Sequence, residues 1–329
     1  MAEPWQVPAP GTPAPSLHLD LRPLSLGEIL DRTFSVYRSR FWLFSGIAAI
    51  YAACALAFQL LNLLARHFVT IHYGFRSGTS SALAGSLIMA LPLLVPYAIT
   101  EAALIFALRE VYLGNGTTAG NALRATIRRW YRYVGIALWI AISCAWAPLL
   151  FWIPAFVIAI NLQGSNLAWL VGLLFFLGFC TLPYSVWVLL RNLLAAQVSV
   201  VEDAPVRASM RRSKLLTRGA RLNIFVVLLV ATALTMTAGV LQTPLLFLVA
   251  RNPLQEHNAA QSISLIVNAF AQMVILPVGL IGLSLIYFDQ RVRQEGFDLL
   301  LMLGPQPPSP RTPSHATEPL RSPEPMPGE

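Results

Sequence analysis

Six stretches of almost unbroken apolar residues, at about 41–65, 83–108, 133–160, 167–195, 223–250 and 263–288, decide what this chain can fold into. Each is long enough to cross a hydrocarbon core of roughly 30 Å as a tilted helix. The apolar residues run on instead of alternating. A β-barrel therefore does not fit, and in lipid the helix is the remaining element that satisfies its own backbone. Only 12% of the 329 residues are charged and 56% are hydrophobic, whereas a soluble domain carries about 25% charged residues. A water-soluble reading needs several fully buried helices in a protein of modest size. The expected class is all-α, a polytopic integral membrane protein with six transmembrane helices.

The basic residues predict its direction. Arg22, Arg32, Arg38 and Arg40 precede the first stretch, and Arg109, Arg124, Arg128, Arg129 and Arg132 lie between the second and third. Arg191, Arg207, Arg211, Arg212, Lys214, Arg218 and Arg221 lie between the fourth and fifth, and Arg291, Arg293, Arg311 and Arg321 follow the last. Of 23 Lys and Arg, only Arg66, Arg76 and Arg251 fall on the other side. Such a bias places the arginine-rich side in the cytoplasm, with both termini, in a cell inner (cytoplasmic) membrane. Trp42, Trp130, Tyr131, Tyr133 and Tyr287 stand at the cytoplasmic boundaries, where amphipathic rings settle. The link NLQGSN at 161–166 predicts a tight external turn, so the external face is thin.

Three inward-facing segments resemble one another: SLGEILDRTFSVYRSRFWLF at 25–44, TAGNALRATIRRWYRYVGIA at 118–137 and PVRASMRRSKLLTRGARLNI at 205–224. Leu30, Leu123 and Met210 align without gaps, as do Thr33, Thr126 and Ser213. The simplest parse is three units, each a cytoplasmic amphipathic helix followed by a helical hairpin of two spans. Ser25 with Glu28 makes a capping box. Asp203 is expected to cap the third segment, with Pro205 in its first turn. Basic amphipathic helices beside spans read as interfacial. Arg32, Arg38, Arg40, Arg128, Arg129, Arg132, Arg211, Arg212 and Lys214 are the candidate contacts to anionic lipid headgroups. Topology-setting charge alone is the blander account of the same residues.

Within the spans Glu101 is the carboxylate lying deep in an apolar stretch. An ionised carboxylate is costly there, so it needs a cavity, a partner or a proton. Gln59, Asn62, Gln197, Asn268 and Gln272 are candidate partners, and a purely structural polar contact is the alternative. Pro92 and Pro96, just ahead of Glu101, mark the best place for a broken helix lining a substrate path. Pro148, Pro154, Pro183, Pro244 and Pro277 interrupt the other stretches, although proline is also common in spanning helices. The pairs Gly172/Gly178 and Gly279/Gly282 are weak signals of close helix approach. YFDQRVRQEGFDLLLM, after the last span, suggests a short segment docking back on the cytoplasmic face, too thin for an active site.

The flanks read differently. Residues 1–20 and 305–329 are Pro-rich and expected to be disordered tails around a membrane domain at 21–304. The start lacks the pattern of a signal peptide. Cys54, Cys144 and Cys180 lie in apolar runs without a CxxC pair. No GxxxxGK[ST], HExxH or GxSxG motif occurs, and none of the five histidines lies in a span. No cofactor, metal site or nucleic-acid partner is expected, because membrane topology accounts for the +8 charge.

RPLSLGEILDRTFSVYRSRFWLF, VEDAPVRASMRRSKLLTRG and LIYFDQRVRQEGFDLLLM together resemble the membrane domain named after glycerophosphoryl diester phosphodiesterases. This is a family of largely uncharacterised bacterial multi-span proteins. The resemblance covers about residues 20–302 and implies the same multi-span fold. Some members carry a fused phosphodiesterase barrel. Here the segments outside the spans leave no room for one, so no activity or catalytic residue carries over. Relatives show an aromatic where Lys214 stands and Phe-Trp in place of Leu222 and Asn223. The leading functional expectation is a non-enzymatic scaffold or accessory subunit in membrane lipid processes. The alternatives are a transporter or flippase-like protein using Glu101, and a lipid-modifying enzyme.

Overall fold

The computed structural model describes residues 25–73, 91–161, 168–244, 247 and 259–295, and every regular element among them is helical. Six stretches are long and apolar enough to span a membrane: Phe41–Asn62, Leu91–Tyr112, Trp130–Ala159, Ala168–Val201, Arg221–Leu241 and Ser262–Gln294. The chain is therefore an all-α polytopic membrane protein. In chain order the helices are α1 (Leu26–Ser39), α2 (Phe41–Tyr73), α3 (Leu94–Tyr112), α4 (Ala119–Ile127), α5 (Trp130–Asn161), α6 (Ala168–Cys180), α7 (Leu182–Asn192), α8 (Ala195–Val201), α9 (Val206–Leu216), α10 (Arg221–Leu241) and α11 (Ala259–Glu295). The two Pro-rich tails and the link at 162–167 lie outside the described residues.

Helix α3 is the axis of the bundle. It packs against α2, α4, α5, α8 and α11. Its small residues Ala98, Ala102, Ala103 and Ala107 are buried, which lets neighbouring backbones come close. A helix apolar on all sides belongs in such a position. Helix α11 is the second core element, packed on α2, α10, α1 and α3. Its Gly279 and Gly282 face α10: a Cβ on Gly282 would stand 2.8 Å from Val227 Cγ1, and one on Gly279 3.2 Å from Ala231 Cβ. Gly178 does the same between α6 and α5, where the Trp152 indole fills the space a side chain would need. Gly172 has no such neighbour.

The short helices α1, α4 and α9 each bury one stripe. The aligned residues Ile29, Ala122 and Ser209 are all fully buried. One turn on, Thr33, Thr126 and Ser213 are buried too, at 2%, 1% and 0% exposure. Thr33 Oγ1 donates to Ile29 O at 2.7 Å and Thr126 Oγ1 to Ala122 O at 3.0 Å, so the hydroxyls satisfy themselves locally. Ser213 Oγ instead donates across to Arg191 O at 3.2 Å. The capping box at the start of α1 is present: Glu28 N donates to Ser25 Oγ, and Ser25 N to Glu28 Oε2. Tyr37 ties α1 to the bundle by donating to Val274 O at 2.9 Å, with Ser45 Oγ 3.0 Å from the same hydroxyl. Burial holds the Tyr37 phenol above its ordinary pKa, and the Ser45 contact opposes that shift.

Several local expectations need correction. Asp203 does not cap α9. Pro205 occupies the cap position, and Asp203 sits in the left-handed region at φ 55° with its carboxylate turned to α4 and α5. The fourth span is not one helix. It breaks at Thr181, with Pro183 in the first turn of α7, and turns again at 193–194 before α8. Thr181 Oγ1 closes the break by donating to Gly178 O at 2.7 Å, and Ser185 Oγ holds α7 on α5 through Cys144 O at 2.7 Å. The residues before Leu91, on which a break of the second stretch at Pro92 and Pro96 depends, lie outside the described residues. Pro92 lies in a 3-10 turn, Leu91–Leu93, and Pro96 in the first turn of α3, where a missing N–H costs little. Residues 289–295 continue α11 without a break. The rest of that motif, from Gly296, lies outside the described residues.

Candidate functional site

Two polar features stand out, one at the arginine-rich end of the bundle and one inside it. At the arginine-rich end Glu202, just past α8, receives groups from two other helices. Tyr287 Oη, on α11, donates to Glu202 Oε1 at 2.8 Å. Arg212 Nε of α9 is 3.5 Å from Oε2, and Arg291 Nε of α11 is 3.9 Å from Oε1. Arg291 also donates to Tyr287 Oη at 3.5 Å and lies over its ring at 5.9 Å. Glu202 and Arg291 are only 22% and 17% exposed, and Tyr287 is fully buried. Low exposure strengthens these contacts and penalises any loss of one partner.

Two residues along α11 a second knot follows. The Asp289 side chain has no exposure and accepts from Arg293 Nε at 2.8 Å and from Gln290 Nε2 at 3.4 Å. Gln294 Nε2 reaches Leu216 O and Arg218 O beyond the end of α9. On the other side of Glu202, Asp203 binds both Arg129 and Arg132, the latter at 2.9 Å. The adjacent acids Glu202 and Asp203 thus join the start of α5, α9 and the end of α11. Each acid balances at least two cations, so the cluster works as a charge latch between parts of the chain remote in sequence.

Inside the bundle Glu101 lies in the middle of α3 and is half-buried among Thr100, Ala102 and neighbouring apolar residues. One turn earlier, on the same face of α3, stands Tyr97. Tyr97 makes an edge contact with Tyr51 of α2 at 5.6 Å between ring centres. Both tyrosines line an open groove of about 560 Å3 between α2, α3 and α5, whose other walls include the exposed Leu91, Ile142, Trp146 and Leu149. Its walls are apolar apart from the two phenols and the indole, which suits acyl chains better than ions. Among the suggested partners of Glu101, Gln197 is fully buried on α8, where its amide reaches Leu193 O and Leu194 O. Gln272 carries a buried side-chain oxygen without a partner. None of the five is in hydrogen-bond contact with Glu101 among the described residues.

The arginines proposed for headgroups divide into two sets. Arg129 and Arg132 face Asp203, Arg212 faces Glu202, and Arg32 lies over the Tyr112 ring at 5.8 Å. These are engaged within the protein. Arg38, Arg40, Arg128 and Arg211 are exposed, and Lys214 is half-buried. Of the proposed belt aromatics, Trp42, Trp130 and Tyr131 are exposed, but Tyr133 and Tyr287 are buried and belong to the core. Among the described residues no group of three or more His, Cys, Asp or Glu is placed to hold a metal ion.

Sequence reasoning passed over Glu202 as a site residue. The available signal was the pair Glu202–Asp203 directly after an apolar run, two acids among an excess of arginines. No known protein family, curated protein or solved structure matches this chain.

Proposed function

We propose that this chain is a transporter- or flippase-like protein that handles an amphipathic, lipid-like substrate, without catalysing a covalent step. The observation that carries the reading is the apolar groove between α2, α3 and α5, with two phenols on its wall and Glu101 one turn beyond Tyr97. An apolar groove with few polar groups accommodates a chain, and the polar groups orient its head. A carboxylate at membrane depth is a functional marker by default. The Glu202 latch supports the same reading. It joins segments that must separate if the bundle opens on that side, and ion pairs exchange partners more readily than packed apolar cores.

In this account the chain forms three units of one amphipathic helix and one two-span hairpin, with the arginine-rich side in the cytoplasm of a bacterial inner membrane. The likeness to the phosphodiesterase-named membrane family belongs to the same proposal and rests on the three quoted segments. Exposed Arg38, Arg40, Arg128 and Arg211 then meet anionic headgroups.

The test uses the full chain in liposomes carrying a fluorescent phospholipid, with dithionite bleaching the outer leaflet. Wild type is expected to bring inner-leaflet probe outward, so bleaching passes the protein-free plateau. Glu101→Gln and Tyr97→Phe are expected to slow the second phase several-fold while leaving reconstitution unchanged. A wild-type trace that stops at the protein-free plateau overturns the proposal in favour of a scaffold or accessory subunit.

A further inference from the structure

A third polar feature lies on the exposed side of α7, around Trp187 and Tyr184, and belongs to neither site above. Arg191, in the last turn of α7, stacks over the Trp187 ring at 5.0 Å. Arg221, the first residue of α10, lies against the same ring at 5.9 Å. Neither guanidinium is paired with a carboxylate among the described residues. Two cations are therefore held on one indole, and Arg221 adds its charge at a helix N-terminus, where the dipole is positive as well. Like charges brought together this way repel unless an anion joins them.

The backbone beneath them is fixed. Ser213 Oγ and Thr217 Oγ1, both fully buried, donate to Arg191 O at 3.2 and 3.4 Å. These bonds lock the end of α7 against the α9–α10 turn, which bends through Gly219 at φ 90°. The fold thus fixes the backbone that carries Arg191 beside the start of α10. Arginine on an aromatic face keeps its edge free for the forked hydrogen bonds that suit a phosphate.

Below the pair an apolar track begins. Trp187 meets Tyr184 at 6.3 Å, and Tyr184 meets Trp146 of α5 at 5.8 Å. Tyr184 and Trp146 open a groove of about 470 Å3 that continues over Leu150, Phe151, Cys180 and Thr181. From Arg191 back to Thr181 the helix rises about 15 Å, half of a roughly 30 Å hydrocarbon core, so the groove stays within one leaflet. Trp146 also forms part of the wall of the groove near Tyr97.

We infer that Arg191, Arg221 and Trp187 form a binding site for the phosphate of an anionic phospholipid, with one acyl chain lying in the groove along Tyr184 and Trp146. The site needs no transport activity and stands apart from the proposed function. It holds whether the bound lipid is cargo or a fixed structural partner.

Native mass spectrometry of the detergent-solubilised full chain tests it, with dioleoyl phosphatidylglycerol, dioleoyl phosphatidylcholine and inorganic phosphate as separate probes. Wild type is expected to retain phosphatidylglycerol in preference to phosphatidylcholine. Retention should fall about fivefold for each arginine replaced, on the scale of one cation near an anionic surface. Arg191→Gln with Arg221→Gln should therefore remove most of it, and Arg191→Lys with Arg221→Lys should keep an intermediate share. Leu150→Trp, which fills the groove and leaves the arginines intact, should lower lipid retention without changing phosphate binding. Equal retention of the two lipids by wild type, or full phosphatidylglycerol retention in the double Gln variant, overturns the proposal. So does phosphate competing with the lipid at equal concentration, because the acyl groove would then contribute nothing.

Discussion

Replacing Tyr287 by Phe and Glu202 by Ala, singly and together, measures whether the latch is one coupled unit. The phenol is fully buried and its oxygen lies 2.8 Å from Glu202 Oε1. A hydrogen bond to a charged group contributes about 1.5–3 kcal/mol. The cations add less. Arg212 and Arg291 stand 3.5 and 3.9 Å from the carboxylate, farther than the phenol, so each contact is weaker than the short bond. Tyr287→Phe should then cost about 1.5–3 kcal/mol and Glu202→Ala slightly more, since it also removes the charge facing Arg291. Both singles lose the same bond, so the double variant should cost little more than Glu202→Ala, giving a coupling energy of about 1.5 kcal/mol or more. The Arg291–ring contact survives in the Phe variant and drops out of the cycle. The assay is reversible unfolding in mixed micelles on titration with a denaturing detergent, followed by tryptophan fluorescence. Strict additivity of the two single effects would refute the reasoning.

Two other substitutions test the packing and the helix start. Gly282→Leu places a side chain where even a Cβ would approach Val227 Cγ1 to 2.8 Å; the same detergent titration should show a loss of about 1–3 kcal/mol, and wild-type stability would mean that α10 and α11 are not in contact there. Ser25→Ala removes the acceptor of the capping box that starts α1; the expected loss is about 1 kcal/mol, read as earlier hydrogen exchange of the Glu28 amide, and unchanged exchange would contradict the cap.

The spans were legible because lipid leaves a backbone few choices. Long uncharged runs must be helices, and the six expected stretches coincide with the six found apart from their ends. Boundaries set by side-chain competition were harder to read. Pro96 looks like a helix breaker in a string of letters, yet it sits in the first turn of α3, where the first amides lack partners within their helix in any case. Thr181, whose hydroxyl supports a real break, gives no pattern of its own. Tyr287 matched the profile of a belt aromatic, and only the approach of Glu202 from a distant segment turns it into a core group. Asp203 followed the rule for a helix cap and was drawn away by two arginines more than 70 residues earlier. The pairing of Arg191 with Arg221 on one indole has the same origin. It depends on how α9 folds back on α7, a tertiary fact that spacing along the chain does not encode.

The groove near Tyr97, the latch and the lipid site all take their meaning from which end of the bundle faces the cytoplasm. Paired topology reporters, one inserted after Gly164 and one fused behind Glu329, measure that directly in cells. The account predicts opposite compartments, with the tail reporter active in the cytoplasm and the other silent there. Signals from the same compartment would contradict it.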